Sequence, residues 1–176
     1  SIAFSPRLGA EAVAIPARPG INGRPKGQSM SAIAVSELTV HAARAVAWSR
    51  FIDFSHWDLW MPPDFRPISG PARALVAGDK LSIGVGPKAR LKLNVDVIRV
   101  REGKEICWTG GQRLLLSGVH SFLFADAEPG QTRIRSEETL DGALTIGPLA
   151  ARVERAATDT ANDVLTRFAD FLKRSH

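Results

Sequence analysis

A single cysteine, Cys107, in 176 residues excludes an intrachain disulfide framework and any CxxC metal or redox motif. No apolar run approaches the roughly 18 residues that a membrane-spanning helix needs. The N-terminal segment lacks the apolar stretch of a secretory signal, so a cytoplasmic protein is the default expectation. No phosphate-binding loop is present, because Gly84-Val85-Gly86 is not followed by the required Lys-Ser/Thr pair and helix. Ser117 and Ser121 lack a serine-hydrolase context, and Cys107 should point to the sheet face opposite Trp108, which leaves nucleophilic catalysis poorly supported.

What is present is an ordinary globular mixture, 44% apolar, 23% charged and 7% aromatic, long enough to bury one core. The formal net charge of +5 invites a nucleic-acid reading, but its placement weakens that reading. Residues 1–29 hold four basic side chains and one acidic one, a net +3, while the remainder holds 19 basic against 17 acidic, a net +2. The aromatic residues follow buried patterns and are not interleaved with exposed basic ones, so no nucleic-acid partner is expected.

Pro6, Pro16, Pro19 and Pro25, with Gly9, Gly20, Gly23 and Gly27, interrupt every candidate element in residues 1–29. We therefore read 1–29 as a basic N-terminal extension and 30–176 as a single domain. Alternation over 31–40 predicts a strand carrying Ile33 and Val35 and, after a slip, Leu38 and Val40. Helical spacing follows over 41–52, then a short helix over 55–60 with Ser55 as its cap, stopped by Pro62 and Pro63. Period-two segments at 65–69, 81–85, 90–101, 105–111, 118–127 and 132–140 form a meander broken by turn residues such as Gly78-Asp79, Glu102-Gly103 and Pro129-Gly130. The apolar phase of 90–101 flips at Ile98 and Val100, which one extra residue in a β-bulge would explain. From Pro148 a long amphipathic helix places Leu149, Val153, Ala157, Thr160, Val164, Phe168 and Phe171 on one stripe. The small residues Ala157, Thr160 and Ala161 at its middle suit either close packing or a void between helix and sheet.

The order of one strand, two short helices, about six antiparallel strands and a long C-terminal helix is that of an α+β protein whose sheet is covered on one face by the last helix. Five groups of residues make it more specific. They are Ala47-Trp48 with Asp53-Phe54, Trp57, Trp60 and Pro62; Gly70 with Gly78-Asp79; Cys107-Trp108-Thr109-Gly110; Gly118, His120, Phe122 and Phe124; and Thr132-Arg133-Ile134 with Glu138 and Gly142. In order and spacing they resemble the helix-grip fold of the START-like superfamily (SRPBCC), most closely its polyketide cyclase/dehydrase and lipid-transport branch. The resemblance covers about residues 33–174. It implies a curved sheet of about seven strands wrapped on the C-terminal helix, with an apolar cavity between them. It does not by itself imply a reaction.

His120 shares a strand face with Phe122 and Phe124, where it is either a structural residue or a proton-active one. The apolar pattern puts Ile134, Ser136, Glu138 and Leu140 on the same face, so the register must sum to an even number and brings Glu138 opposite or diagonal to His120. A two-residue Pro129-Gly130 loop would give an odd sum and expose every apolar side chain of the strand, so a three- or five-residue loop is expected. His120 and Glu138 are thus the candidate acid–base or anchoring pair. Two such groups are too few for zinc, and neither a metal nor another cofactor is expected. Trp60, Trp108, Phe122, Leu140, Val164 and Phe168 are the candidate apolar walls.

Three functions remain open. The first is binding of a small, mostly apolar or aromatic ligand, lipid or polyketide-like. The second is a polyketide cyclase or dehydratase using His120 as acid or base. The third is a non-enzymatic interaction module. Leu114, Leu115 and Leu116, near a hairpin tip, would roof the cavity, meet a partner or a second copy in a homodimer, or pack on the helix.

Overall fold

The computed structural model describes residues 32–86, 90–112 and 115–174. The extension 1–29, Leu114 and the limits of the domain at 30 and 176 lie outside the described residues.

Seven antiparallel strands form one sheet: β1 (Ala32–Val40), β2 (Phe65–Ser69), β3 (Lys80–Val85), β4 (Leu91–Arg101), β5 (Glu105–Gln112), β6 (Leu116–Asp126) and β7 (Thr132–Asp141). Their spatial order is β1-β7-β6-β5-β4-β3-β2, so the first two strands occupy opposite edges. The chain between them, α1 (Arg44–Ile52) and a 3-10 helix (Phe54–Leu59), crosses from one edge to the other and closes one end of the sheet. The long α2 (Pro148–Arg174) returns over the sheet, chiefly along β1.

The core lies between the inner sheet face and these helices. Phe51 of α1 is its hub, with ring centroids 4.8–6.3 Å from Trp57, Trp60, Phe122, Phe124 and Phe168. Trp48 and Phe124 add an edge-on pair at 5.3 Å. Such offset and edge-on contacts suit the aromatic quadrupole.

The expected bulge is present. Val97 pairs with Trp108 and Arg99 with Cys107, so Ile98 is the extra residue, and Val100 returns inward opposite Ile106. The β6–β7 register is even, with Asp126 paired to Thr132, and Ala127 N–H donates to Gln131 O across the intervening loop at 3.1 Å. Gly130, at φ 78°, takes the left-handed position of the turn closed by Gln131 N–H to Glu128 O.

Three local expectations need correction. β1 contains no slip: it pairs continuously with β7, so Ala34, Ser36, Leu38 and Val40 face inward while Ile33 and Val35 are exposed on the outer face. Small residues at positions 34 and 36 hid this phase. The first helix begins at Arg44, not at 41. Asp53, not Ser55, caps the 3-10 helix, accepting from Ser55 N–H at 3.1 Å, Ser55 Oγ at 2.5 Å and His56 Nδ1 at 2.9 Å. These donors, Ser55 foremost, hold the Asp53 carboxyl below its usual range.

The helix stripe is right in its second half only. Ala161, Val164, Leu165, Phe168 and Leu172 are buried, whereas Thr160 is exposed and bonds back to Ala156 O. No residue from Pro148 to Thr160 is buried, and Leu149 is 44% exposed. α2 therefore seats tightly on the sheet only from Ala161 onward.

Candidate functional site

Cross-strand pairing arranges the inner face in rows. One row runs Ala34, Glu138, His120, Trp108 and Val97 across β1, β7, β6, β5 and β4. The row on one side is Ser36, Ser136, Phe122 and Ile106; the row on the other is Leu140, Gly118, Gly110 and Val95. Opposite residues of a row have side chains within direct reach.

His120 is held on every side. Its ring stacks on Phe122 at 4.4 Å and meets Trp108 at 5.3 Å. Its Nε2 shares a 2.7 Å hydrogen bond with Ser136 Oγ, on the neighbouring strand and itself buried. Its Nδ1 lies 3.9 Å from Glu138 Oε1, beyond hydrogen-bond length. The two side chains are only 12% and 24% exposed.

This pair is not an ion pair. Burial lowers the His120 pKa to about 3 and raises that of Glu138 to about 7. An ion pair would move both groups the other way; here desolvation disfavours both charged forms. At neutral pH the imidazole is uncharged, with one ring nitrogen a donor and the other an acceptor, while Glu138 exchanges its proton near neutrality. A single polar atom of a ligand can contact both groups across the 3.9 Å gap.

Ser36 Oγ donates to Asn162 Oδ1 and ties α2 to the row containing Ser136. The chain enters α2 soon after β7 ends, so the helix runs back along β1 toward Val40. Glu138 and His120 lie one inward step from the Ser136 row toward the entry end. That step is about 7 Å, or between four and five helical residues before Asn162. The pair thus sits level with the half-buried Ala157 and Thr158, ahead of the fully buried positions that begin at Ala161. The neighbouring row has a floor of two glycines, Gly110 and Gly118. A Cβ on Gly118 would come 2.8 Å from Leu140 Cδ2 and 3.4 Å from Glu138 Oε1.

Trp108, His120, Phe122, Glu138 and Leu140 are thereby brought together on one stretch of sheet. Trp60 and Phe168, 4.8 Å apart, belong to the aromatic cluster on Phe51, and Val164 is buried in the same hydrophobic core. Phe122 joins both groups through its 4.8 Å contact with Phe51. Ser36, Ser136 and Asn162 were not singled out as functional. The period-two pattern does put Ser136 inward, whereas the supposed slip in β1 concealed Ser36. Leu115 is 49% exposed and Leu116 opens β6. Cys107 alternates to the outer face as expected and is fully buried there. No helix among the described residues is long and apolar enough to cross a membrane.

No protein-family model matches the chain, and no curated protein matches its sequence. Solved structures do match in fold. A START superfamily protein from Mycobacterium smegmatis superposes with a TM-score of 0.65 at 14% identity, over 82% of this chain and 99% of its own. Ara h 8.0201 matches with a TM-score of 0.61 at 10% identity, over 82% of this chain and 99% of its own. The di-domain ARO/CYC StfQ from the steffimycin biosynthetic pathway matches with a TM-score of 0.66 at 13% identity, over 83% of this chain and 52% of its own. At such identities the likeness establishes architecture, and it agrees with the strand order and the long C-terminal helix: the chain has the helix-grip fold of START-like (SRPBCC) proteins.

Proposed function

We propose that the protein binds a small, mostly apolar or aromatic molecule, lipid or polyketide-like, between the sheet and the first half of α2. The observation that carries this reading is the His120–Glu138 pair, 3.9 Å apart and set among Trp108, Phe122 and Leu140 on the inner face of the sheet. Trp108 and Phe122 supply apolar contact, and His120 and Glu138 supply the polar anchor. A few convergent polar groups in an apolar surround are the usual composition of a small-molecule site. Trp60, Val164 and Phe168 support this site through the core that seats the helix.

Native mass spectrometry of gently purified protein identifies any copurified ligand. Calorimetry with a neutral probe, 2-naphthol, then tests the anchor. Saturable binding, weakened by roughly 1 to 3 kcal/mol in His120→Gln, is expected. Absence of binding, or affinity unchanged from the parent in both His120→Gln and Glu138→Gln, contradicts the reading.

A second reading, acid–base catalysis of the polyketide cyclase or dehydratase kind, is favoured by one observation. Glu138 titrates at about 7, the value suited to a general acid or base at neutral pH. In it His120, uncharged at neutral pH with a pKa lowered by burial to about 3, orients the substrate. In this reading Glu138→Gln keeps most affinity while cutting turnover by about 10²- to 10⁴-fold. Product analysis on the copurified molecule separates the two readings.

A further inference from the structure

Away from His120 and Glu138, a cleft of about 330 Å³ opens between the end of the 3-10 helix, β2 and the C-terminal half of α2. Arg66 of β2 and Arg167 and Arg174 of α2 line it, with Asp58 as the one lining carboxylate. Arg167 and Arg174 are seven residues apart, about two helical turns, and so project from the same side of α2.

Their charges are unequally engaged. Arg167 Nε donates to Asp163 Oδ1 at 2.8 Å, in a pair nearly half exposed. Arg174 Nε donates to the backbone oxygen of Asp170 at 3.2 Å. Among the described residues no carboxylate pairs with Arg66 or Arg174. The wall also includes Trp60 and Met61, both buried, and the Trp60 Nε1–H meets no acceptor.

We propose that this cleft binds a phosphomonoester carried on an apolar group. Two guanidinium forks without a carboxylate partner, and a third shared with Asp163, surround one concavity and exceed what one ligand carboxylate would engage. A phosphomonoester brings a charge of about −1.5 to −2 and several acceptor oxygens that match such forks. Leu59, 56% exposed, and Pro63 and Pro67 beside it offer the apolar body its surface. The same chemistry occurs in a soluble organic phosphate and in the headgroup of phosphatidic acid.

The test uses the full chain and octyl phosphate, read by calorimetry and tryptophan fluorescence at low salt, with octanol as the uncharged comparison. Saturable binding of octyl phosphate, with none of octanol, is expected. Arg66→Gln and Arg174→Gln should each weaken it by about tenfold, the usual cost of a lost charge-assisted hydrogen bond. Arg155→Gln, an exposed arginine of α2 outside the cleft, should leave it unchanged. His120→Gln should also leave it unchanged, which separates this cleft from the site under the first half of α2. Cosedimentation with phosphatidic acid vesicles, but not phosphatidylcholine vesicles, assigns the lipid source; binding of octyl phosphate without cosedimentation assigns the soluble one. Failure to bind either octyl phosphate or phosphatidic acid vesicles overturns the proposal. So does undiminished binding in the Arg66→Gln/Arg174→Gln double variant.

Discussion

Glu138 stands directly opposite His120 across the β6–β7 ladder, its Oε1 3.9 Å from the ring Nδ1, yet burial drives each group toward its uncharged form. The sheet therefore presents an acid near its titration point beside a neutral imidazole, both surrounded by apolar side chains. Such a pair costs stability, and in the proposed function it serves to hold a polar ligand group.

The cost is measurable. Folded Glu138 keeps its proton up to about pH 7, whereas the unfolded chain releases it near 4.5. Between those values the folded state binds more protons, so stability falls as pH rises, and the whole cost is present above 7. Glu138→Gln removes it. Denaturant unfolding should show the variant more stable than the parent by up to about 3 kcal/mol at pH 8, with the gain gone at pH 4.5. A constant difference at both pH values would mean that Glu138 is not desolvated.

His120 behaves in the opposite sense. Its folded pKa of about 3 lies below the unfolded value of 6.5, so acidification below 6.5 favours the unfolded chain. Ser136 Oγ bonds Nε2 alone, accepting from Nε2–H in one tautomer and donating to the bare nitrogen in the other, and so holds the ring in place. Nitrogen NMR of the ring should show Nε2 shifted in Ser136→Ala and Nδ1 little changed. An unchanged Nε2 signal would remove Ser136 from this role.

Gly118→Ala tests the glycine floor. Its Cβ would meet Leu140 Cδ2 at 2.8 Å and stand beside the Glu138 carboxyl. A loss of about 1 to 3 kcal/mol in stability is expected from the overpacking. Affinity for 2-naphthol should fall further than that of a surface variant of equal stability. Unchanged affinity would place the ligand elsewhere.

The two halves of α2 should respond unequally. Phe168, fully buried against Phe51 and Trp60, should cost several kcal/mol as Phe168→Asp, which puts an unpaired charge in the interface. Leu149, 44% exposed, should change stability by about 0.5 kcal/mol or less as Leu149→Ala. Thermal unfolding of both variants checks the contrast.

Strand periodicity made most of this legible. Alternation in 118–127 and 132–140 requires an even register, and that alone puts Glu138 within reach of His120. The bulge at Ile98 was visible because large apolar residues on both sides of it changed phase. The phase of β1 is hidden in the sequence because its inward positions hold Ala34 and Ser36, while its outer face holds the larger Ile33 and Val35. The helical stripe ran on through Leu149 and Val153 because periodicity records which side is apolar, not how close the sheet lies. The arginine cleft escaped because Arg66 is about a hundred residues from its companions and carries no local motif.

The most direct measurement is the map of chemical-shift changes when 2-naphthol is titrated into the labelled full chain. Saturable changes are expected at the His120 ring, the Trp108 indole and the Leu140 methyls, with Leu59 and Met61 little affected. Changes confined to Leu59, Met61 and their neighbours, or none that saturate, would contradict the proposed function.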